Sequence, residues 1–457
     1  MYKRAYFIGI AAYIIMFVLA FIFYKERTIF LDMAYNIFYI IKDKNFALQL
    51  FRFGDMVSQA PALLAVKAQL PLNAILKIYS CSLVLVYFLC YITCGSLLKR
   101  YDLALVILLL NILFAAHTFY WMVSQLPQAL AMLMVLFAIV DVGRQKKMTN
   151  LRLFFFLAAI VTVAFYHPLV IFVITYAILF FDLSGYPATD RKMLRITAGL
   201  YVTVVLLKVM LFKTPYEHHS MSGMKNFVTL FPDYFTLFSN RQFLHKCVTD
   251  YYWIPMLFMA IVVFYKREKQ QKKLWLFICV FGGYLMLVNI SYPFATTPAF
   301  YIENLYLPLA VFIALPFVFD VMPALHEKKL AVPLFSLIVI TGSVRLYAMH
   351  NIYTARLTYE TKYLHKYGEQ KVILKASPAD AVVLQMLWGT PYEFLLLAES
   401  QFGKTASLII DDTPSKYLWT KGVTNSLMVN WNLLPYKELP ANYFHFTDTV
   451  SSYSIDR

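Results

Sequence analysis

The chain is 457 residues long, 61% hydrophobic and 14% charged. So few charges cannot cover a water-soluble fold of this size, which excludes a soluble globular protein and leaves a polytopic membrane protein. Much of the net charge of +16 sits in the gaps between apolar runs, where it anchors a chain in a bilayer, and no basic patch with interleaved aromatics marks a nucleic-acid partner.

In chain order, Lys3-Arg4 precede a first apolar run from Ala5 to Tyr24. This run is longer than the roughly 7–15 residues of a signal-peptide core and has no small-x-small cleavage site, so it reads as a retained anchor. A long gap, 25–73, follows. In it Ile29 to Asp43 (IFLDMAYNIFYIIKD) repeats apolar residues at helical spacing, with Asp32, Tyr35, Asn36, Tyr39 and Asp43 on the opposite face. That spacing predicts an amphipathic helix at the membrane interface. After a turn at Lys44-Asn45, Leu48 to Gln59 carries Arg52, Asp55 and Gln59, and an apolar stretch containing Pro61 runs on to Pro71.

Further apolar runs are Ala74–Leu98, Leu103–His117 and Leu126–Val140, then Leu153–Tyr166 and Leu169–Phe181 hinged at His167-Pro168. Next come Ile196–Phe212, Tyr252–Tyr265, Leu274–Ile290, Tyr306–Val321 and Leu330–Leu346. With the first run these make about eleven stretches approaching the roughly 20 residues that cross a bilayer. The basic clusters Lys3-Arg4, Lys99-Arg100, Arg144 with Lys146-Lys147, Arg191-Lys192, Lys266-Arg267 and Lys328-Lys329 fall in alternate gaps. Basic residues collect on the cytoplasmic side, so the N-terminus is expected inside and the segments 25–73, 213–251 and 347–457 outside. This alternation requires two short helices at His167-Pro168, because one bent helix would put Arg144 and Arg191 on opposite faces of the membrane.

The expected fold is therefore an all-α polytopic membrane domain over 1–346 and a small extracytoplasmic α/β domain over 347–457. In the latter, Leu357–Tyr367 reads as helix, Lys371–Lys375 as strand, Pro378–Ser400 as helix broken at Gly389-Thr390-Pro391, and Ser407–Ile410 as a second strand. Ser377-Pro378 form a good cap and first turn, and the pattern implies a sheet of two or three strands. No Gly-rich loop suggests a nucleotide. Cys81, Cys90, Cys94 and Cys279 lie in apolar runs and Cys247 stands alone in an outer gap, which argues for neither a disulfide framework nor a zinc site.

A first span, then Asp32-Met33-Ala34-Tyr35, an interfacial helix, a Pro-containing apolar stretch and a second span resemble the opening of GT-C superfamily glycosyltransferases, such as protein O-mannosyltransferases and lipid A aminoarabinose transferases. The paired short helices at His167-Pro168 and a C-terminal domain after an odd number of spans are similar as well. The likeness covers layout over most of the chain and a short motif only at its start. It implies a bacterial inner-membrane enzyme that moves a sugar from a polyprenyl-phosphate donor to an envelope glycan or lipid acceptor. Asp32 would be the catalytic or metal-associated carboxylate, and a divalent cation the cofactor left open. Those enzymes commonly have Asp-Glu where this chain has Asp32-Met33, so a second carboxylate must come from elsewhere, with Asp55 the candidate.

The remaining candidates each have two readings. Arg52, His167 and Lys208 are cations available to a departing phosphate. Arg52 would otherwise pair with Asp55, His167 cap a helix, and Lys208 snorkel to the interface. Tyr35 and Asn36 lie beside Asp32, and His117, Tyr120, Trp121, Gln125 and Gln128 would line a sugar cavity or form an aromatic belt. Glu303, in Ser291 to Asn304, would close over the same site, and 213–251 would serve as a lid or acceptor loop. Glu217-His218-His219 has metal-ligand residue types, but adjacent histidines point apart. A transporter or flippase, and a non-catalytic assembly component, are the competing classes. A transporter should place ionisable residues near the bilayer midplane.

Overall fold

Each of the apolar runs becomes a helix, as a chain in hydrocarbon must satisfy its backbone internally. The structure, a computed structural model, describes residues 1–49, 52–121, 125–145, 149–184, 191–212, 223, 225–420, 422–429 and 432–455. Its main helices are α1 (Tyr2–Ile22), α2 (Leu31–Asp43), α3 (Asp55–Lys67), α4 (Leu72–Ile92), α5 (Tyr101–Leu113), α6 (Gln125–Gln145), α7 (Asn150–Tyr166), α8 (Val170–Ser184) and α9 (Arg191–Leu211). They continue with α10 (Phe238–Thr249), α11 (Trp253–Arg267), α12 (Gln271–Ser291), α13 (Ala299–Pro316), α14 (Ala331–Ala348), α15 (His350–Tyr367) and α16 (Thr390–Phe402), short helical turns being given by range alone.

Among the described residues six helices are long and apolar enough to cross a membrane, or eight if two sharply bent pairs are each one span. The expected number of about eleven is therefore not reached by length. The helices α5, α6, α7 and α8 are apolar but short. One bent pair, Pro378–Leu384 with Leu387–Phe402, belongs to the C-terminal domain: Thr390 to Ala398 are all buried between a strand and α2. The chain is a helical membrane protein with a small sheet region.

At the centre of the bundle lies α13, whose residues from Ile302 to Pro316 are buried on every side. A helix apolar all round belongs in such a position. The pair at His167-Pro168 is two separate helices, as the alternation of basic clusters required. Proline removes an amide donor and pushes the preceding residue out of the helical region, and His167 is indeed extended, with φ −154° and ψ 136°.

Only Met349 separates α14 from α15, and together they make a 37-residue helix. At about 1.5 Å per residue this is roughly 55 Å, well beyond the roughly 30 Å hydrocarbon core, so the last helix carries the chain out of the membrane. The C-terminal domain is built on β1 (Lys371–Lys375), β2 (Ser407–Asp411), β3 (Ser426–Val429), β4 (Asn432–Pro435) and β5 (Ser454–Ile455). Strands β2, β1 and β5 form one parallel sheet with Val372 opposite Leu408 and Ser454, and β3 and β4 pair antiparallel. Ser377 and Asp380 form a reciprocal capping box on the crossover helix. The expected break at Gly389-Thr390-Pro391 lies earlier, across Leu384–Gly389. Pro391 opens α16 instead of interrupting a helix, because the first turn needs no amide donor there.

Candidate functional site

The site is assembled where α2 and α3 meet the ends of the bundle. Leu31, the first residue of α2, has a positive φ of 43°. A leucine in this left-handed region is strained by order 1–3 kcal/mol and persists only where its surroundings impose it. They do so from the far end of the chain. The Leu31 N–H donates to Glu393 Oε1 at 2.5 Å, and Glu393 is fully buried in α16. Arg356 donates to the other oxygen of Glu393 and to Glu360 at 3.0 Å, and its guanidinium lies 4.4 Å from the centre of the Phe30 ring. Gly389 allows the approach, since a Cβ there would lie 2.7 Å from Leu31 Cδ2 and 3.0 Å from Leu31 Cα.

Asp32 is fixed by this anchor and by Trp121, whose indole N–H donates to its Oδ2 at 3.2 Å. It keeps an edge exposed, whereas Asp55, at the start of α3, is buried. Gln125 donates to Asp55 Oδ2 at 2.5 Å and accepts from the Arg52 guanidinium at 2.5 Å. Arg52 and Asp55, expected as a direct ion pair on the plainer reading, are thus bridged by an amide. The turn that carries them is pinned by Tyr166, whose hydroxyl donates to Gly54 O at 3.1 Å. A Cβ on Gly54 would fall 2.1 Å from the Tyr166 ring.

Burial dominates both carboxylates. It pushes Asp32 up to about 6 against the lowering effects of the Trp121 bond and of Arg52, and Asp55 up to about 7 against Gln125 and Arg52. Arg52 lowers both, Asp32 raises Asp55, and Glu393 raises Asp32, so these groups are electrostatically linked.

Asn36 is buried and accepts from Gln49 Nε2 at 3.4 Å. Tyr35 is half-buried, with its ring 4.6 Å from Tyr39, 5.2 Å from Tyr392 and 6.3 Å from Trp388. The helix-capping reading of His167 is supported, its Nδ1 accepting from Leu169 N at 3.2 Å, but Lys208 does not snorkel to the interface: it is buried, with its ammonium donating to Ala164 O at 3.3 Å. Both still lie on the Arg52 side of the cluster, for Arg52 and Lys208 are the charges that act on His167.

Three expectations need correction. Glu303 does not close over the site. It is fully buried, with Oε1 accepting from Ala116 N and Thr118 N at 2.8 Å each and from Thr118 Oγ1 at 3.0 Å, and Oε2 from the Tyr251 hydroxyl at 2.8 Å. A carboxylate with four donors is the knot that ties the 116–118 turn to α13. His117 belongs to the same knot, with Nδ1 3.3 Å from the Tyr353 hydroxyl and Glu303, Lys246 and Asp250 as its charged neighbours. Tyr120 is spent on Leu346 O at 3.1 Å. Gln128 is buried with neither amide atom hydrogen-bonded among the described residues. Glu217, His218 and His219 lie outside the described residues, as do Lys146 and Lys147.

The sequence reading missed Glu393, Arg356, Glu360 and Gly389. One signal was present: Glu393 is a lone acid in the apolar run TPYEFLLLA, where a charge is retained only with a partner. A divalent cation would find two carboxylates here, and among the described residues no three His, Cys, Asp or Glu side chains are grouped to hold one. The groups present do not make a cation site by themselves.

Fold and site together define a helical membrane protein whose C-terminal α/β domain grips the segment following its first helix. Comparison with models of known families, with curated proteins and with solved structures gave no match to this chain.

Proposed function

We propose that the chain is a GT-C-like glycosyltransferase of the bacterial inner membrane, moving a sugar from a polyprenyl-phosphate donor to an envelope glycan or lipid acceptor on the outer face. The observation that carries this reading is the convergence of Asp32, Asp55 and Arg52 at the boundary of the bundle, with both carboxyls raised to about 6 and 7. A general base works best when its pKa lies near the operating pH. Asp32 takes the proton of an acceptor hydroxyl as that oxygen bonds to the anomeric carbon. The bond from that carbon to the donor phosphate oxygen breaks, and the electron pair leaves with the phosphate. Arg52, steadied through Gln125 by Asp55, is the cation offered to the developing anion, with Lys208 behind it. In this reading the chain crosses the membrane about eleven times, N-terminus inside and C-terminal domain outside, as the basic clusters require.

Transport has one supporting observation. At the opposite end of the bundle, Arg100 pairs with Asp102 at 2.9 Å and Asp141 at 2.7 Å, and Lys273 with Asp320 at 2.8 Å, beside the π-helical turns Thr93–Leu97 and Phe317–Val321. Such turns recur at functional sites, but these charges are closed in pairs. Transfer of radiolabelled sugar from a panel of polyprenyl-phosphate donors, with native protein against Asp32→Asn, decides between the readings. Transfer lost in the variant supports the enzyme. No transfer with any donor, together with movement of a labelled lipid between leaflets, replaces it with the transporter.

A further inference from the structure

The connection between α9 and α11 carries an apolar surface for which the transfer reaction has no use. Val228, Phe231, Phe235, Phe238, Leu244 and Val248 are 45% to 82% exposed. Six large apolar side chains so open to the surroundings mark an interaction surface. Where the segment sits identifies what it meets.

It lies at the end of the bundle that holds Asp32. The Tyr251 hydroxyl, just after α10, donates to Glu303, and Glu303 ties down the turn from which Trp121 reaches Asp32. The Asn226 amide donates to Ile290 O at 3.1 Å and Ser291 O at 3.3 Å, the last carbonyls of α12. Ser239 donates to Asn289 O at 2.8 Å, and the Phe243 ring meets Tyr306 edge-on at 5.0 Å, two turns into α13. The segment is therefore held at the depth where the spans end, with Ser239, Phe243 and Cys247 of α10 turned inward.

Its direction follows from α11. That helix shows Met256, Met259 and Val263 to its surroundings, each 57% or 58% exposed, as a lipid-facing span does. The axis of α10 is turned by 91° from it. A helix perpendicular to a span lies in the membrane plane. Its open face carries Phe238, Leu244 and Val248 together with Arg241 and His245, whose side chains can place an apolar body among lipid and a polar tip at the headgroups.

We propose that residues 225–249 are embedded in the bilayer leaflet at the Asp32 end, with Val228, Phe231, Phe235, Phe238 and Val248 among the acyl chains and Arg241 and His245 at headgroup level. The occupant of this face is the lipid leaflet, continuous with the lipid already covering α11. The segment then forms a ledge that meets lipid at the depth of the candidate site, instead of a lid folding over it. This inference stands whether or not the chain transfers sugar.

Site-directed spin labelling of the full chain in bilayer nanodiscs tests it. Phe235→Cys and Val248→Cys are labelled separately in a Cys279→Ala background, and power saturation compares collisions with oxygen and with a water-soluble nickel chelate. The native Cys279, exposed on apolar α12, supplies the in-bilayer reference, and Lys404→Cys in the C-terminal domain the aqueous one. Both ledge positions are expected to favour oxygen several-fold over the aqueous reference and to approach the Cys279 value. Accessibility to the nickel complex equal to that of Lys404→Cys at both positions overturns the proposal in favour of a lid or a soluble partner. The two positions sit on separate elements, so a local disturbance at one does not decide the result.

Discussion

Glu393 accepts the backbone N–H of Leu31 at 2.5 Å across 362 residues of chain, and through that bond the C-terminal domain sets the position of Asp32. Leu31 has φ 43° and precedes Asp32 directly. The strain of a left-handed leucine has to be balanced by fixed partners. Glu393, Arg356 and the absent Cβ of Gly389 are those partners, all of them carried by α15, α16 and the turn leading into α16.

Gly389→Ala tests that relation with the smallest possible change. The added methyl must push against the Leu31 backbone, so Asp32 moves by some tenths of an ångström while the fold survives. Sugar transfer is expected to fall several-fold, less than the roughly 10²-fold that a full 1 Å misplacement of a reacting group costs. Thermal unfolding in detergent should shift by only a few degrees. Full transfer activity with a lowered melting temperature would make the contact structural alone.

Glu393→Ala is expected to be far more damaging. It leaves Arg356 buried with Glu360 as its remaining carboxylate, and removing one member of a buried ion pair costs about 3–5 kcal/mol. Glu393→Gln keeps an acceptor for Leu31 N–H and should lie between the native protein and the alanine variant. Melting curves of the three proteins rank them.

The two carboxylates predict a definite pH dependence. Asp55 is raised from 3.8 to about 7 by burial, so the folded state favours its protonated form more than the unfolded state does. Stability is then highest at low pH with respect to this group, declines as pH rises through the window from about 4 to about 7, and above that bears the full cost of a buried carboxylate. Asp55→Asn removes the titration. The melting temperature of the variant relative to native should rise with pH across that window and level off beyond it. For Asp32 the same direction makes transfer fall as pH drops through about 6, since a protonated base cannot accept the acceptor's proton. Asp32→Asn should lower transfer by 10²-fold or more at every pH.

What was legible in the sequence was what local periodicity encodes. Helical spacing from Ile29 to Asp43 gave α2 to within two residues, Ser377-Pro378 gave the capped start of a helix, and KVILK and SLII gave β1 and β2 to within one. Asp32, Arg52, Asp55 and Gln125, which the structure brings together, stood out as candidates for the same reason: they are polar side chains in apolar surroundings. Residues that act across the fold were not legible. Glu303 and Glu393 are both lone acids in apolar helices, and nothing local says that one ties a turn while the other anchors Leu31. The hairpin β3–β4 and the edge strand β5 were missed because four and two residues are too few to show an alternation. Span number was not legible from length, because α5 to α8 are apolar but fall short of a full span among the described residues.

Gln125 is the joint on which Arg52 and Asp55 depend. Gln125→Leu removes both bonds without changing side-chain volume much. Asp55 is then a buried carboxyl lacking its donor, at about 1–3 kcal/mol, and Arg52 loses its fixed direction. Apparent KM for the donor is expected to rise several-fold with a smaller change in kcat, because a loosened Arg52 weakens phosphate binding before it affects the base. Steady-state kinetics over a range of donor concentrations separates the two effects. An equal fall in kcat with unchanged KM would assign Arg52 to the transition state alone.

Glu303→Gln is the counter-case, a buried acid near the site that should leave turnover untouched. The amide oxygen can still accept from Ala116, Thr118 and the Thr118 hydroxyl, while the amide nitrogen meets Tyr251, whose hydroxyl can turn to accept. The lost negative charge is the main change, and it is felt by Arg345, whose guanidinium is otherwise bonded to the carbonyls of Asp250, Ile112 and Leu113. Losing a charged acceptor is expected to cost about 1.5–3 kcal/mol of stability. Transfer per folded molecule should match the native protein, with KM for donor and acceptor unchanged. A large loss of turnover at normal stability would return Glu303 to the site and would mean that the 116–118 turn carries more of the substrate than its Trp121–Asp32 bond indicates.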